Sequence, residues 1–144
     1  MLDQEKFFNT YKVQEAFEDS GLSWDTLEKI YDDYKSRLPE MKKMADHLQE
    51  EISKEIDFHV HSIHNRCKNP EHLIEKIIRK VGVEKRQKYK SINEKNYLRI
   101  VRDLMGVRIL ILSKEEWRTV HDFLLKVDED PRYDICMAEM PRAY

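Results

Sequence analysis

One apolar stripe limits what this chain can become. Trp24, Leu27, Ile30, Tyr31, Tyr34, Leu38, Met41, Met44, Leu48, Ile52 and Ile56 recur at steps of three and four residues. That is the period of an α-helix burying one face. Ser23 stands where such a helix needs a cap, and Pro39 is expected to kink or split it. Glu, Asp and Lys fill the other positions, so the stripe predicts packing and assigns no chemistry. A shorter helix precedes it, marked by Phe7, Phe8, Tyr11, Val13 and Phe17 and ended near Ser20-Gly21. Residues 1–56 are therefore expected to be helices packed on a core built from residues 57–144, the whole forming one domain.

The pattern changes at Asp57. Phe58 to His64 alternates weakly and predicts a strand. Asn69-Pro70 starts a helix, with Asn as the cap and Pro at the first helical position, and this helix is expected to end before Gly82. A basic, poorly patterned loop from Val83 to Asn93 and a short helix from Glu94 to Arg102 follow. Val107 to Leu112 predicts a strand apolar on both faces and therefore central. Ser113 and Glu116 form a capping box for a helix bearing Trp117, Val120, Phe123 and Leu124. Tyr133 to Ala138 predicts a last strand. Helices first, then strands alternating with helices, argue an α+β or α/β domain.

Composition narrows the function classes. No apolar run approaches the roughly 20 residues of a membrane-spanning helix, and Met1-Leu2-Asp3-Gln4-Glu5 lacks the character of a secretory signal. Cys67 and Cys136 form neither a metal spacing nor a disulfide framework. A reduced, cytoplasmic setting with no membrane partner is the expectation. His59, His61 and His64 lack a nearby Cys or carboxylate to complete a metal set, so partly buried strand histidines are the plainer reading. Cys67 is read as a packing residue, with a reactive thiol as the alternative.

The net charge of −2 conceals segregation. Between Arg66 and Arg108 there are 13 Lys and Arg against 5 Asp and Glu. A basic segment of this kind suits a polyanion such as a nucleotide or RNA, or is simply a solvated surface. With only three glycines, Gly21, Gly82 and Gly106, the chain has no Walker-type loop and no dinucleotide fingerprint. Any phosphate must be held by side chains. On the Asn69–Lys80 helix, Leu73, Ile74, Ile77, Ile78 and Val81 share one face, while His72, Lys76 and Arg79 share the other. Arg66 and Lys68 lie just upstream, near a helix N-terminus whose free N–H groups also favour an anion. Asp103, ahead of the Val107 strand, is a natural Mg²⁺ ligand for a triphosphate. Its alternative is a turn carboxylate paired with Arg99 or Arg102. Arg108 has a similar alternative, as a strand residue paired with a nearby acid.

Arg66-x-Lys68-x-x-x-His72-x-x-x-Lys76, then Arg79-Lys80, then Asp103-Leu104-x-Gly106-x-Arg108-Ile109 resembles the RelA/SpoT-type synthetase domain. That family moves the β,γ-pyrophosphate of ATP to the 3′-hydroxyl of GDP or GTP, making (p)ppGpp. The likeness covers about Tyr31 to Ala138, with its specific motifs between Arg66 and Ile109. It implies an α+β, nucleotidyltransferase-like fold, a mixed sheet flanked by helices. It also implies that Arg66 contacts the adenine side of ATP, and that Lys68 and Lys76 neutralise its phosphates with help from Arg79. Asp103 would hold the catalytic Mg²⁺ and Arg108 would lie near the nucleotide. Where the family usually has Ser, this chain has His72, which would donate to a phosphate or mark a different substrate.

The family's Gly-Tyr-x-Ser-x-His and Glu-x-Gln-x-Arg motifs, which serve the acceptor, are missing. The chain is therefore expected to be truncated, with an incomplete sheet, an ATP and magnesium half-site and little activity by itself. Two other functions stay open. One is pyrophosphorylation of the 3′ end of tRNA, guided by the Lys85–Lys90 loop. The other is a non-catalytic nucleotide-binding or interaction module. Assembly into a homo-oligomer is a further option.

Overall fold

The computed structural model describes residues 2–56 and 60–129 of the chain. The expected strand at Tyr133 to Ala138, the start of the expected strand at Phe58, His59 and Cys136 all lie outside the described residues. The fold is α+β and mostly helical, with α1 (Gln4–Tyr11), α2 (Gln14–Ser20), α3 (Trp24–Ile56), β1 (Ser62–Cys67), α4 (Pro70–Gly82), α5 (Tyr97–Ile100), β2 (Met105–Leu110) and α6 (Lys114–Glu129). A 3₁₀ turn, Gln87–Tyr89, interrupts the basic loop after α4. The chain forms two compact units, one from Met1–Lys42 and Cys67–Met105, the other from Lys43–Arg66 and Gly106–Tyr144. Each unit thus draws residues from both sides of position 56.

In the first unit the core is aromatic and aliphatic, with Phe7, Leu27, Ile30, Tyr34, Leu73, Ile74, Ile77 and Ile78 all buried. The single first helix expected from the sequence is instead two. Lys12 adopts a left-handed conformation, φ 54°, and separates α1 from α2. The reason lies in Trp24. On one straight helix Phe8 and Phe17, nine residues apart, would point in opposite directions. The break lets both reach the indole, with ring centroids 5.4 and 6.0 Å from it. Asp3 caps α1 through its carboxylate to the Lys6 N–H, 3.0 Å.

Helix α3 begins where expected, with the Ser23 hydroxyl accepting from the Thr26 N–H at 3.2 Å. It then runs unbroken through Pro39 for 33 residues. Pro39 is exposed. Apolar burial on either side, at Leu27, Ile30 and Tyr34 and again at Ala45, Ile52 and Ile56, offsets the roughly 3 kcal/mol that an interior proline costs. Met44, read from the sequence as part of the stripe, is 58% exposed while its neighbour Ala45 is buried.

In the second unit Ile52, Ile56 and Val120 form a smaller core, against which Ile63, Val107, Ile109 and Phe123 pack. Gln49 and Asp46 reach β1 there: the Gln49 amide donates to the Ile63 carbonyl at 2.9 Å and the Asn65 amide donates to Asp46 at 2.9 Å. The strands pair with each other, and the His61 N–H bonded to the Leu110 carbonyl, 2.8 Å, sets an antiparallel register. Among the described residues the sheet is two-stranded, with β2 paired to β1. The alternate β2 residues Gly106, Arg108 and Leu110 are exposed, a one-sided pattern. Ser113 and Glu116 cap α6 reciprocally, at 3.4 and 3.1 Å, as the sequence predicts.

Candidate functional site

The first unit brings Asp103 to two lysines that lie 35 and 27 residues earlier in the chain. Lys68 follows β1, Lys76 lies on α4, and Asp103 sits between α5 and β2. The Lys68 N–H donates to the Leu104 carbonyl at 2.8 Å, and this pairing draws the two segments side by side. Tyr34 locks them from beneath. Its buried hydroxyl lies 2.9 Å from the Lys68 carbonyl and 3.2 Å from that of Leu104. Burial pushes the Tyr34 phenol up to about 12, so it remains a neutral donor at neutral pH. Tyr97 packs edge-on to Tyr34 and donates to Asp33 at 2.7 Å.

With the backbone so held, the Lys68 ammonium meets one oxygen of Asp103 at 3.0 Å and the Lys76 ammonium meets the other at 2.6 Å. The lysine side chains are only 12% and 18% exposed, whereas Asp103 is 46% exposed. The carboxylate is therefore the solvent-facing member of the trio. Burial pushes its carboxyl up, but the hydrogen bonds from Lys76 and Lys68 outweigh this and hold it below the ordinary range. Its two ion pairs among the described residues run to these lysines rather than to Arg99 or Arg102.

Helix α4 supplies most of the remaining wall, and its build was legible. Asn69 accepts from the Glu71 and His72 N–H groups at 2.8 and 3.3 Å, and Pro70 occupies the first turn. The five apolar residues predicted to face the core are all buried, and His72, Lys76 and Arg79 face the open side. The free N–H groups expected at this helix start are, however, taken: Asn69 satisfies two and Pro70 has none. An anion here must be gripped by side chains alone.

The result is an open cleft of about 380 Å³ lined by Lys68, His72, Lys76, Arg79 and Asp103, together with Tyr11, Glu75 and Lys80. Tyr11 donates to Glu71 at 2.8 Å and packs edge-on to the His72 ring at 5.7 Å. Burial, then the hydrogen bond to Glu71, pushes its phenol up to about 12. Arg79 pairs with Glu75 at 3.3 Å and with Glu84 at 2.7 Å, and Lys80 pairs with Glu84 at 2.6 Å.

Five of the seven residues singled out from the sequence thus line one cleft. The other two, Arg66 and Arg108, belong to the second unit, exposed on β1 and β2. Sequence reasoning missed Tyr11, read there only as an apolar helix residue, and Tyr34, read as part of the stripe. It also left Lys80 and Glu84 unassigned, although their spacing of four across a helix end was a readable signal.

Among the described residues no three His, Cys, Asp or Glu side chains assemble a metal cage. One carboxylate plus phosphate oxygens and water is nevertheless how magnesium is commonly held. Asp103 fits a magnesium ion that arrives with a polyphosphate, because the phosphates give Lys68 and Lys76 a new partner. It does not fit a bare ion, which the two ammonium groups would repel. Set against protein-family models, curated proteins and solved structures, the chain matches none.

Proposed function

We propose that this cleft is the donor half-site of a pyrophosphate transfer from ATP to the 3′-hydroxyl of GDP or GTP, in a RelA/SpoT-like, nucleotidyltransferase-like enzyme. The observation that carries the reading is the convergence of Lys68 and Lys76 on Asp103 in a cleft that also holds Arg79 and Lys80. Four cations lining one cleft, two of them on the half-exposed Asp103 carboxylate, suit a magnesium polyphosphate better than a neutral ligand.

In this reading Lys68 and Lys76 leave Asp103 for phosphate oxygens, freeing the carboxylate for the metal. Arg79 and His72 donate to the same phosphates. Bound magnesium would supply further neutralisation of the charge on those oxygens. The acceptor's 3′-oxygen forms a bond to the β-phosphorus of ATP and the bond from that phosphorus to the α-bridging oxygen breaks. AMP leaves with the electron pair and the hydroxyl proton passes to solvent. What this chain contributes is charge neutralisation and orientation.

The test incubates the protein with magnesium and ATP labelled at the γ-phosphate, offering GDP, GTP and tRNA in turn. The half-site predicts magnesium-ATP binding by this chain, and label in a guanosine nucleotide would identify that acceptor. Label in tRNA would instead identify the toxin-type acceptor, and binding without transfer would leave a nucleotide-binding module. In parallel, Lys68→Ala and Lys76→Ala should each weaken magnesium-ATP binding about tenfold or more, and Asp103→Asn should abolish its dependence on magnesium. A wild-type protein that binds no ATP at all ends the reading.

A further inference from the structure

We propose that Glu84 is a displaceable internal anion that selects which phosphate ligands enter the cleft, holding Arg79 and Lys80 until a chain of phosphates replaces it. This rests on the reading of the cleft as a polyphosphate site. The cleft's cations come in two pairs, each sharing a carboxylate. Asp103 holds Lys68 and Lys76, and Glu84 holds Arg79 and Lys80. Lys80 reaches both Glu84 oxygens, at 2.8 and 2.6 Å, and Arg79 adds a bond of 2.7 Å. With Glu75 also paired to Arg79, the four cations face three carboxylates, and an entering anion must compete with a carboxylate for each of these cations.

Lys76 and Lys80 are one helical turn apart, about 6 Å along α4. A single phosphate seated between Lys68 and Lys76 in place of Asp103 offers its oxygens to that pair first. It leaves Glu84 in place and gains half of the cleft. A chain of phosphates spans both pairs and recovers the bonds that Glu84 gives up. Selection then follows from length rather than from total charge.

Glu84 is built to stay near and to move. Helix α4 closes with the Val83 and Glu84 N–H groups on the Arg79 carbonyl, both 3.0 Å, and the Arg86 N–H on the Lys80 carbonyl, 2.8 Å. Lys85 takes the left-handed conformation, φ 52°, that such a helix end requires. This turn carries Glu84 back beside Arg79 and Lys80. Arg86, 3.3 Å from Glu84 and 63% exposed, does not line the cleft. When Arg79 and Lys80 turn to phosphate, Glu84 keeps Arg86 as a partner, so its release strands no charge.

Calorimetric titration of wild type, Glu84→Gln and Glu84→Asp with orthophosphate, pyrophosphate and tripolyphosphate, all without magnesium, tests this. Glu84→Gln should bind tripolyphosphate about five- to tenfold tighter and gain measurable orthophosphate binding. Glu84→Asp, which keeps the charge, should stay within about twofold of wild type. An unchanged Glu84→Gln, or a Glu84→Asp that behaves like it, overturns the proposal. Should the Gln variant unfold, the Glu84 carboxyl carbon resonance of the wild type decides. It is expected to move on adding tripolyphosphate, and an unmoved resonance overturns the proposal. Tighter tripolyphosphate binding by Glu84→Gln with no ATP binding by either protein would uphold Glu84 and reject the nucleotide. ATP binding with no gain from Glu84→Gln would do the reverse.

Discussion

Gly82 is the residue on which the placement of α4, and so of Lys76, Arg79 and Lys80, can be tested most directly. A methyl group there would lie 1.9 Å from the Ala16 carbonyl oxygen, 2.7 Å from its carbon and 3.0 Å from the Ala16 Cα. All three are backbone atoms of α2, so no side-chain rotation relieves them. Close packing tolerates little approach inside about 3.5 Å, and α2 would have to move away by more than an ångström. Gly82→Ala removes the entropy of a helical glycine, which favours the variant by about 1 kcal/mol. Forced separation of packed elements costs about 1–3 kcal/mol, and more when backbone is involved. The net expectation is a loss of about 2 kcal/mol, or a fall in melting temperature of about 6–10 °C for a chain of this size. Urea unfolding followed by circular dichroism measures it. Gly21→Ala is the control: Gly21 has φ 68° and nothing within 4 Å of an added Cβ, so its cost is left-handed strain alone, about 1 kcal/mol. If Gly82→Ala proves as stable as wild type, the close α2–α4 approach is wrong.

Two further predictions concern the support and the charge of the cleft. Tyr34→Phe leaves the Lys68 carbonyl without its 2.9 Å hydroxyl donor and weakens the bracket around Asp103. It should cost about 1–2 kcal/mol in urea unfolding, and a change below about 0.3 kcal/mol would show that the hydroxyl holds nothing. Asp103 has a folded-state pKa below its unfolded one because of Lys76 and Lys68 acting against burial. Its contribution is therefore complete above the ordinary carboxylate value, about 4, and is lost as pH falls through the lower folded value. Stability of wild type relative to Asp103→Asn should shrink below about pH 4; a gap independent of pH across that window refutes the pairing.

Local pattern made α4 legible because everything that decides it lies within its own span: the Asn69 cap, Pro70, and five apolar residues on one face. The α1–α2 break was illegible because Lys12 at positive φ carries no sequence mark, and only the need of Phe8 and Phe17 to reach Trp24 demands it. Gly82 misled for a related reason. A glycine at a helix end signals either a left-handed cap or a close neighbour, and only α2 tells which. Asp103 raised the same difficulty in the site. Nearby arginines were the natural local partners, yet the antiparallel pairing of the β1 and β2 ends brings it to Lys68, 35 residues away. Register of that kind depends on two segments at once, and neither segment states it alone.

The basic character of Arg66 to Arg108 was the weakest of the sequence signals, and the structure gives it a different meaning. Of the five acids in that segment, Glu75, Glu84 and Asp103 each pair with cleft cations, and Glu71 holds Tyr11 at its wall. The acids are gathered where the useful cations converge, while Lys85, Lys88, Lys90, Lys95, Arg99 and Arg102 lie exposed. A positive surplus thus surrounds a cleft whose own charges nearly cancel. Steering of a polyanion toward the molecule would come from the surplus and respond to salt. Retention would come from exchange of carboxylate partners inside the cleft, which salt screens less. Charge counting sees only the first of these, which is why it left the segment indistinguishable from an ordinary solvated surface.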